Sequence, residues 1–303
     1  MQCWRVTSTM STSFTLIPTQ HAEHLAKLMA YSSQCAVVYL QANADEARIF
    51  PDGEVYVEVP DMPRGQRIVI LHSGAPDPNT GIVELELLLQ TLSRLGHQHL
   101  EVFFSYMPYG MQDNPKSTHA AHSAEDLVRK LVQYHGVKRI YVLDAHFATQ
   151  PWVKKYPLRF ISAFPLLEKA VRVAYPDVVF LAPDTGSQQR LGISGAKKIR
   201  TNSFEVEIVT EANFRERVKG KVIAVVDDLV ETGGTMTAFA ATCKAHGATT
   251  VVAAVTHGLL QEGIVRLQKS YSKLYLTNSI DRPAATIDVS TLILESLSSS
   301  MDA

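Results

Sequence analysis

The chain has 303 residues, 46% of them hydrophobic, with 29 basic side chains set against 30 acidic ones and a formal net charge of -1. That length holds two ordinary domains of roughly 100–200 residues, and that apolar content excludes a disordered or fibrous chain. The balanced charge leaves no basic excess to neutralise a phosphate backbone, so small molecules or other subunits are the expected partners and nucleic acid is not.

In chain order, short β-branched or aromatic runs at 67–71, 100–105, 139–143, 178–182, 222–226, 250–255 and 273–276 predict buried strands. Helices fall between them. Leu85, Leu88, Leu89 and Leu92 recur at helical spacing and predict a helix over 82–95, with further helices over 126–134 and 236–246, the last closed by Gly247. Alternating strands and helices predict an α/β fold with mainly parallel sheets covered by helices on both faces. Gln150-Pro151-Trp152 and a lysine-rich stretch interrupt the pattern at 150–162, which divides the chain into domains over 13–157 and 158–303. A Ser-rich tail follows Leu294. Cys3, Cys35 and Cys243 form no CxxC pair and suit a reducing compartment, the cytoplasm. No apolar run reaches the roughly 18–20 residues that span a bilayer, and residues 1–12 lack a signal pattern, so no membrane association is expected.

Parallel sheets bind ligands beyond the carboxyl ends of their strands, where helix N-termini present backbone N–H groups. The segments that follow predicted strands are 108–114, 144–146, 183–190 and 227–235. The strongest is the last, where an apolar strand runs into Asp227-Asp228 and then Glu231-Thr232-Gly233-Gly234-Thr235 before a helix. Such a loop can wrap a phosphate with N–H groups and the Thr232 and Thr235 hydroxyls, while Asp227 and Asp228 can hold ribose hydroxyls. The plain alternative is an Asp-rich strand-to-helix turn.

This string resembles the signature of type I phosphoribosyltransferases, and further motifs sharpen the resemblance to the ribose-phosphate diphosphokinase (phosphoribosyl pyrophosphate synthetase) family. Phe50-Pro-Asp-Gly-Glu54 is similar to the family's Phe-Ser-Asp-Gly-Glu, and Tyr106-Met-Pro-Tyr-Gly-Met-Gln-Asp113 to its Tyr-x-x-Tyr-Ala-Arg-Gln-Asp. Asp144-Ala-His146, Pro183-Asp-Thr-Gly186 and Thr277-Asn-Ser-Ile280 follow in family order, so the resemblance covers about residues 14–290. It implies two phosphoribosyltransferase-type domains with the active site between them, and transfer of diphosphate from Mg-ATP to ribose 5-phosphate. By the same resemblance Phe50, Asp52, Glu54, Gln112, Asp113 and His146 bind nucleotide, and His146 and Asp184 hold Mg²⁺. Asp227, Asp228, Glu231 and Thr232 to Thr235 hold the sugar phosphate. Lys198 and Arg200 of a mobile loop over 195–203 are the catalytic pair, and the protein is a homo-oligomer. Each motif has a simpler reading beside this one. The Phe50 ring can stack on a purine, or its segment can be a turn before a strand at 55–59; His146 alone can be a packed or solvated imidazole. Asp184 suits Mg²⁺ as a hard oxygen ligand but also suits a helix N-cap, and 195–203 can be a solvated hairpin.

Three departures bear on substrate. Met111 stands where the family has a nucleotide-contacting Arg, with Asn114-Pro115 in place of a basic pair; Glu231 replaces an Asp; and Ser187-Gln188-Gln189 replaces a Gly-rich continuation. They put the acceptor in question, so one rival is the same transfer to a larger acceptor such as ADP-ribose, and Met111 favours another, a catalytically silent associate of an active synthetase; a phosphoribosyltransferase that consumes the activated sugar is a third, weakened by the separate nucleotide motifs near Phe50, Gln112 and His146.

Overall fold

The structure is a computed structural model that describes residues 14–63, 65–115, 117–192, 197–200, 206–209 and 213–299, with the backbone alone described for 191, 197–200 and 206–209. The first sheet is built from β1 (Phe14–Pro18), β2 (Cys35–Val37), β3 (Ile68–Ser73), β4 (Leu100–Tyr106), β5 (Arg139–Leu143) and β6 (Leu158–Ile161), in the spatial order β2-β1-β3-β4-β5-β6 with every pairing parallel. All six residues of β3 are buried, as expected of a central parallel strand covered on both faces. Helices α1 (Glu23–Met29), α2 (Pro78–Arg94) and α3 (Ser123–Gln133) lie in this half. α2 begins with Pro78, whose missing N–H costs nothing in a first turn, and stops at Gly96 in the left-handed region with φ 91. It buries Leu85, Leu88, Leu89 and Leu92 against Ile68, Ile70 and Phe104, each side chain contributing about 1.5–3 kcal/mol.

α4 (Phe164–Ala174) leads into the second sheet, which is built from β7 (Val179–Leu181), β10 (Val222–Val230), β11 (Thr250–Gly258) and β12 (Leu274–Leu276) in the order β12-β11-β10-β7, again parallel. Between β7 and β10 lie α5 (Thr185–Leu191), an antiparallel ribbon of β8 (Lys197–Arg200) and β9 (Val206–Val209), and α6 (Phe214–Val218). α7 (Gly234–Ala245) and α8 (Gln261–Ser270) complete this half, and α9 (Ser290–Ser298) ends the chain's described part. Alternation along β10 sends Ile223 and Val225 toward Phe239 and Ile264, and Ala224 and Val226 toward Leu167 and Val171 of α4.

The structure departs from the sequence-based expectations at four places. The predicted strand at 55–59 is reduced to isolated bridges, Gln41 to Glu58 and Ile49 to Val55, while Val57 and Val59 pack on the core. β10 does not stop at Val226 but carries Asp227 and Asp228 within the ladder beside β11. The division at 157/158 falls four residues early, since β6 pairs with β5 and the chain leaves the first sheet only after Ile161. Nor do all later residues belong to the second half: α9 returns to the first sheet and buries Ile293 and Leu297 beside Leu25, Met29 and Val69, with Arg67 Nη1 donating to the Leu297 carbonyl at 2.8 Å.

Candidate active site

The carboxyl ends of β5, β7 and β10 meet at a cavity of about 580 Å³ between the two halves. Its floor is the loop between β10 and α7. Gly233 adopts φ 75, the left-handed region that favours glycine, and α7 begins at Gly234, so the positive end of the helix dipole faces the cavity together with Thr232 and Thr235. The loop is seated on α8 by a contact that sequence reasoning missed: a Cβ at Gly263 would stand 2.0 Å from the Glu231 carbonyl oxygen, so only glycine lets the loop lie this low. Glu231 and Thr232 remain exposed at the rim.

One wall is a chain of polar contacts. Asp184 caps α5, its Oδ1 accepting from Ser187 N at 2.9 Å, so the N-cap reading of this residue is realised while it also lines the cavity. Ser187 Oγ lies 2.6 Å from Asp227 Oδ1 and 3.0 Å from Asp184 Oδ1. Arg190, absent from the sequence-based site, donates to Asp228 Oδ1 at 2.7 Å from a side chain only 12% exposed. Its signal lay in the spacing, since Asp184, Ser187 and Arg190 follow one another at three-residue intervals and share a face of α5.

Across the cavity, His146 belongs to the first half and reaches the second: its Nδ1 is 2.8 Å from Asp228 Oδ2. The two adjacent carboxyls therefore separate. Burial, with the neighbouring Asp228 charge, pushes Asp227 well above the usual carboxylate range. Burial acts on Asp228 in the same sense, but the His146 hydrogen bond and the Arg190 guanidinium outweigh it and hold Asp228 below its ordinary value. The two carboxyls thus present differently tuned oxygens to the cavity, Asp228 held by His146 and Arg190 and Asp227 accepting from Ser187 Oγ.

The other expected site residues lie elsewhere. Gln112 accepts from Ser123 Oγ at 2.7 Å and Asp113 accepts from Gln150 Nε2 at 2.9 Å, and neither lines the cavity; Met111, one residue before, does. Phe50, Asp52 and Glu54 belong to a turn closed by Phe50 N–H to Glu54 O at 2.8 Å, with Phe50 half-buried, Asp52 and Glu54 exposed, and Glu54 in a separate groove beside Asn79, Thr80 and Val83. Lys198 and Arg200 fall on β8, paired in register with Ile208 and Val206; their side chains lie outside the described residues. For a metal, Asp184, Asp227 and Asp228 bring hard oxygen donors to one wall. Among the described residues no three His, Cys, Asp or Glu side chains form a metal-binding group. That sparse set fits Mg²⁺, which commonly takes one or two carboxylates and completes its shell with water and substrate phosphates.

A parallel strand that carries an acidic pair and runs into a Thr-Gly-Gly-Thr loop at a helix start defines the second half as a phosphoribosyltransferase-type domain, and residues 164–290 match the family described as phosphoribosyl transferase domain. Residues 14–136 match the N-terminal domain of ribose phosphate pyrophosphokinase. The chain is 31% identical to ribose-phosphate pyrophosphokinase of Pyrococcus furiosus over 264 residues, 83% of this chain and 91% of that one. It is 30% identical to the protein of the same name from Thermococcus kodakarensis, over 80% of this chain and 88% of that one. The chain belongs to the ribose-phosphate pyrophosphokinase family. Its fold is also that of the phosphoribosylpyrophosphate synthetase of Mycobacterium smegmatis, with a TM-score of 0.80 at 23% identity over 96% of this chain and 99% of that one.

Proposed function

We propose that this protein transfers the β,γ-diphosphate of Mg-ATP to the anomeric hydroxyl of ribose 5-phosphate, forming 5-phosphoribosyl diphosphate and AMP. The new bond joins the sugar oxygen to the β-phosphorus, the bond from that phosphorus to the α-phosphate oxygen breaks, and the hydroxyl proton is released. The observation that carries the reading is the cavity itself, where a phosphate-binding helix start and an acidic pair from one domain face His146 from the other, 2.8 Å from Asp228.

In this reading the loop from Thr232 to Thr235 takes the 5-phosphate, whose two negative charges use the N–H donors and the helix dipole together. Asp227 and Asp228 hold the ribose hydroxyls, and Arg190 keeps Asp228 ionised and oriented. His146 and Asp184 serve the metal-nucleotide side, and Mg²⁺ when bound supplies neutralisation of phosphate charge. Lys198 and Arg200 supply cationic donors to the diphosphate in the transition state. The turn that holds Phe50, Asp52 and Glu54 lies outside this cavity, with exposed Ile49, Val83 and Leu87 nearby, so we assign it to an interface between copies of the chain in a homo-oligomer. Buried, unpaired Cys35 and Cys243 suit the cytoplasm, where ATP is available.

Product chromatography after mixing the protein with Mg-ATP and ribose 5-phosphate tests the reading: AMP is expected, and ADP in its place removes it. A second acceptor is favoured by the exposed rim at Glu231 and Thr232 and by the uncharged Met111 on the cavity wall. An esterified 5-phosphate, as in ADP-ribose, can leave the loop on that side, and competition between ADP-ribose and ribose 5-phosphate decides which is labelled by the β-phosphate of ATP. Formation of neither AMP nor ADP, with Mg-ATP bound, is the result a catalytically silent associate would give.

A further inference from the structure

His146 is delivered by a turn that leaves β5 at Leu143, and that turn is strained at its first residue: Asp144 adopts φ 37, in the region that favours glycine. Neighbouring structure must therefore hold it in place. At the exit from the first sheet, Asp144 N donates to the Ile161 carbonyl at 2.8 Å and Asp144 Oδ2 accepts from Ala163 N, just beyond β6, at 3.0 Å. The second domain supplies the remaining restraints from two consecutive residues of β11. Thr256 Oγ1 donates to the same Asp144 Oδ2 at 2.6 Å, and His257 Nε2 donates to the Leu143 carbonyl at 3.1 Å. The His257 ring also packs edge-on against Tyr106 of β4, with centroids 5.2 Å apart. Because Nε2 faces a carbonyl it carries the proton in the neutral ring, and Nδ1 lies 2.9 Å from Ser279 Oγ. Burial holds His257 below its ordinary value, in keeping with that neutral tautomer.

β11 pairs with β10, Asp227 lying opposite Val255 and Leu229 opposite His257. The strand that restrains residues 143 and 144 is thus the neighbour of the strand that presents Asp228 to His146. Thr256 is 2% exposed, and neither it nor His257 lines the large cavity, so neither is placed to touch substrate there. We propose that Thr256 is a positioning residue: its hydroxyl, backed by the His257 imidazole, ties the strained Asp144 turn of the first domain to β11 of the second and thereby sets His146 against Asp228. The consequence for nucleotide binding rests on the assignment of His146 to the metal-nucleotide side.

The test compares Thr256→Val, which keeps the shape and removes the hydroxyl, with Thr256→Ser, which keeps the hydroxyl. Thr256→Ala removes the hydroxyl without a β-branch and serves in its place should the valine variant not fold. Proton NMR follows the His146 ring resonances, assigned by their loss in His146→Ala, and titration calorimetry follows Mg-ATP binding in the absence of acceptor. Loss of the hydroxyl is expected to move the His146 ring resonances and weaken Mg-ATP binding by about 10-fold, as for a lost hydrogen bond to a charged group, while the serine variant keeps the parent ring shifts. Unchanged ring shifts in both hydroxyl-free variants overturn the proposal, and so does a serine variant as perturbed as the valine one, which would assign the effect to packing. If His146→Ala itself binds Mg-ATP as the parent does, the nucleotide assignment of His146 fails, while the ring shifts still decide whether Thr256 positions it.

Discussion

Acid should destabilise this protein partly through one core histidine of the first domain. His72, at the carboxyl end of β3, is fully buried, has Thr19 Oγ1 2.9 Å from its Nδ1, and packs edge-on against Phe104 with ring centroids 5.4 Å apart. Burial drives its pKa down from 6.5 to about 3, the nearby His21 adding to the effect. The folded state therefore resists a proton that the unfolded chain accepts. Stability is complete above the unfolded value and is lost as pH falls from 6.5 toward about 3. At about pH 5 the unfolded imidazole is ~1.5 units below its pKa, and at about 1.4 kcal/mol per unit the loss through His72 is about 2 kcal/mol. His72→Gln removes the titration while retaining a side chain able to bond Thr19. Urea denaturation at about pH 7 and about pH 5 gives the stability difference for each protein. The variant should lose about 2 kcal/mol less than the parent over that interval, and the difference cancels the contributions of His21, His135 and His257, which burial also lowers. Equal acid sensitivity in the two proteins would refute the reasoning.

Gly263→Ala should raise KM for ribose 5-phosphate by about 10-fold or more, because a Cβ there meets the Glu231 carbonyl at 2.0 Å and lifts the phosphate loop; an unchanged KM would mean the loop has room. Arg190→Ala, which removes the guanidinium partner of Asp228, should lower kcat/KM for ribose 5-phosphate by about 10- to 100-fold, the loss of a hydrogen bond between charged groups, as read from initial rates. Lys198→Ala and Arg200→Ala should each lower kcat by about 10²–10³-fold with little change in KM for ATP, whereas a near-normal kcat in both would remove the β8 pair from catalysis.

Much of the fold was legible because parallel strands buried on both faces leave continuous apolar runs, as in β3, β4 and β11. β6 was not, since an edge strand need bury little: Arg159 and Phe160 are exposed, and the segment reads as a linker. α9 was hidden by its serines, although Ile293 and Leu297 stand one helical turn apart. At the site, the phosphate loop and acidic pair were legible because their chemistry is contiguous in sequence. Asp228 between Arg190 and His146 was not, for it joins residues 38 and 82 positions away. Gly263 carried no signal of its own, because the carbonyl that requires it belongs to another element. The motif at Phe50–Glu54 was visible, but which surface it faces is a matter of tertiary placement that local sequence does not encode.

The most direct test follows the terminal phosphates of ATP. Incubated with Mg²⁺, ribose 5-phosphate and ATP labelled in the γ-phosphate, the protein should move the label into a sugar diphosphate and release unlabelled AMP in equal amount. Label recovered in a ribose bisphosphate or in inorganic phosphate, with ADP as the nucleotide product, would contradict diphosphate transfer.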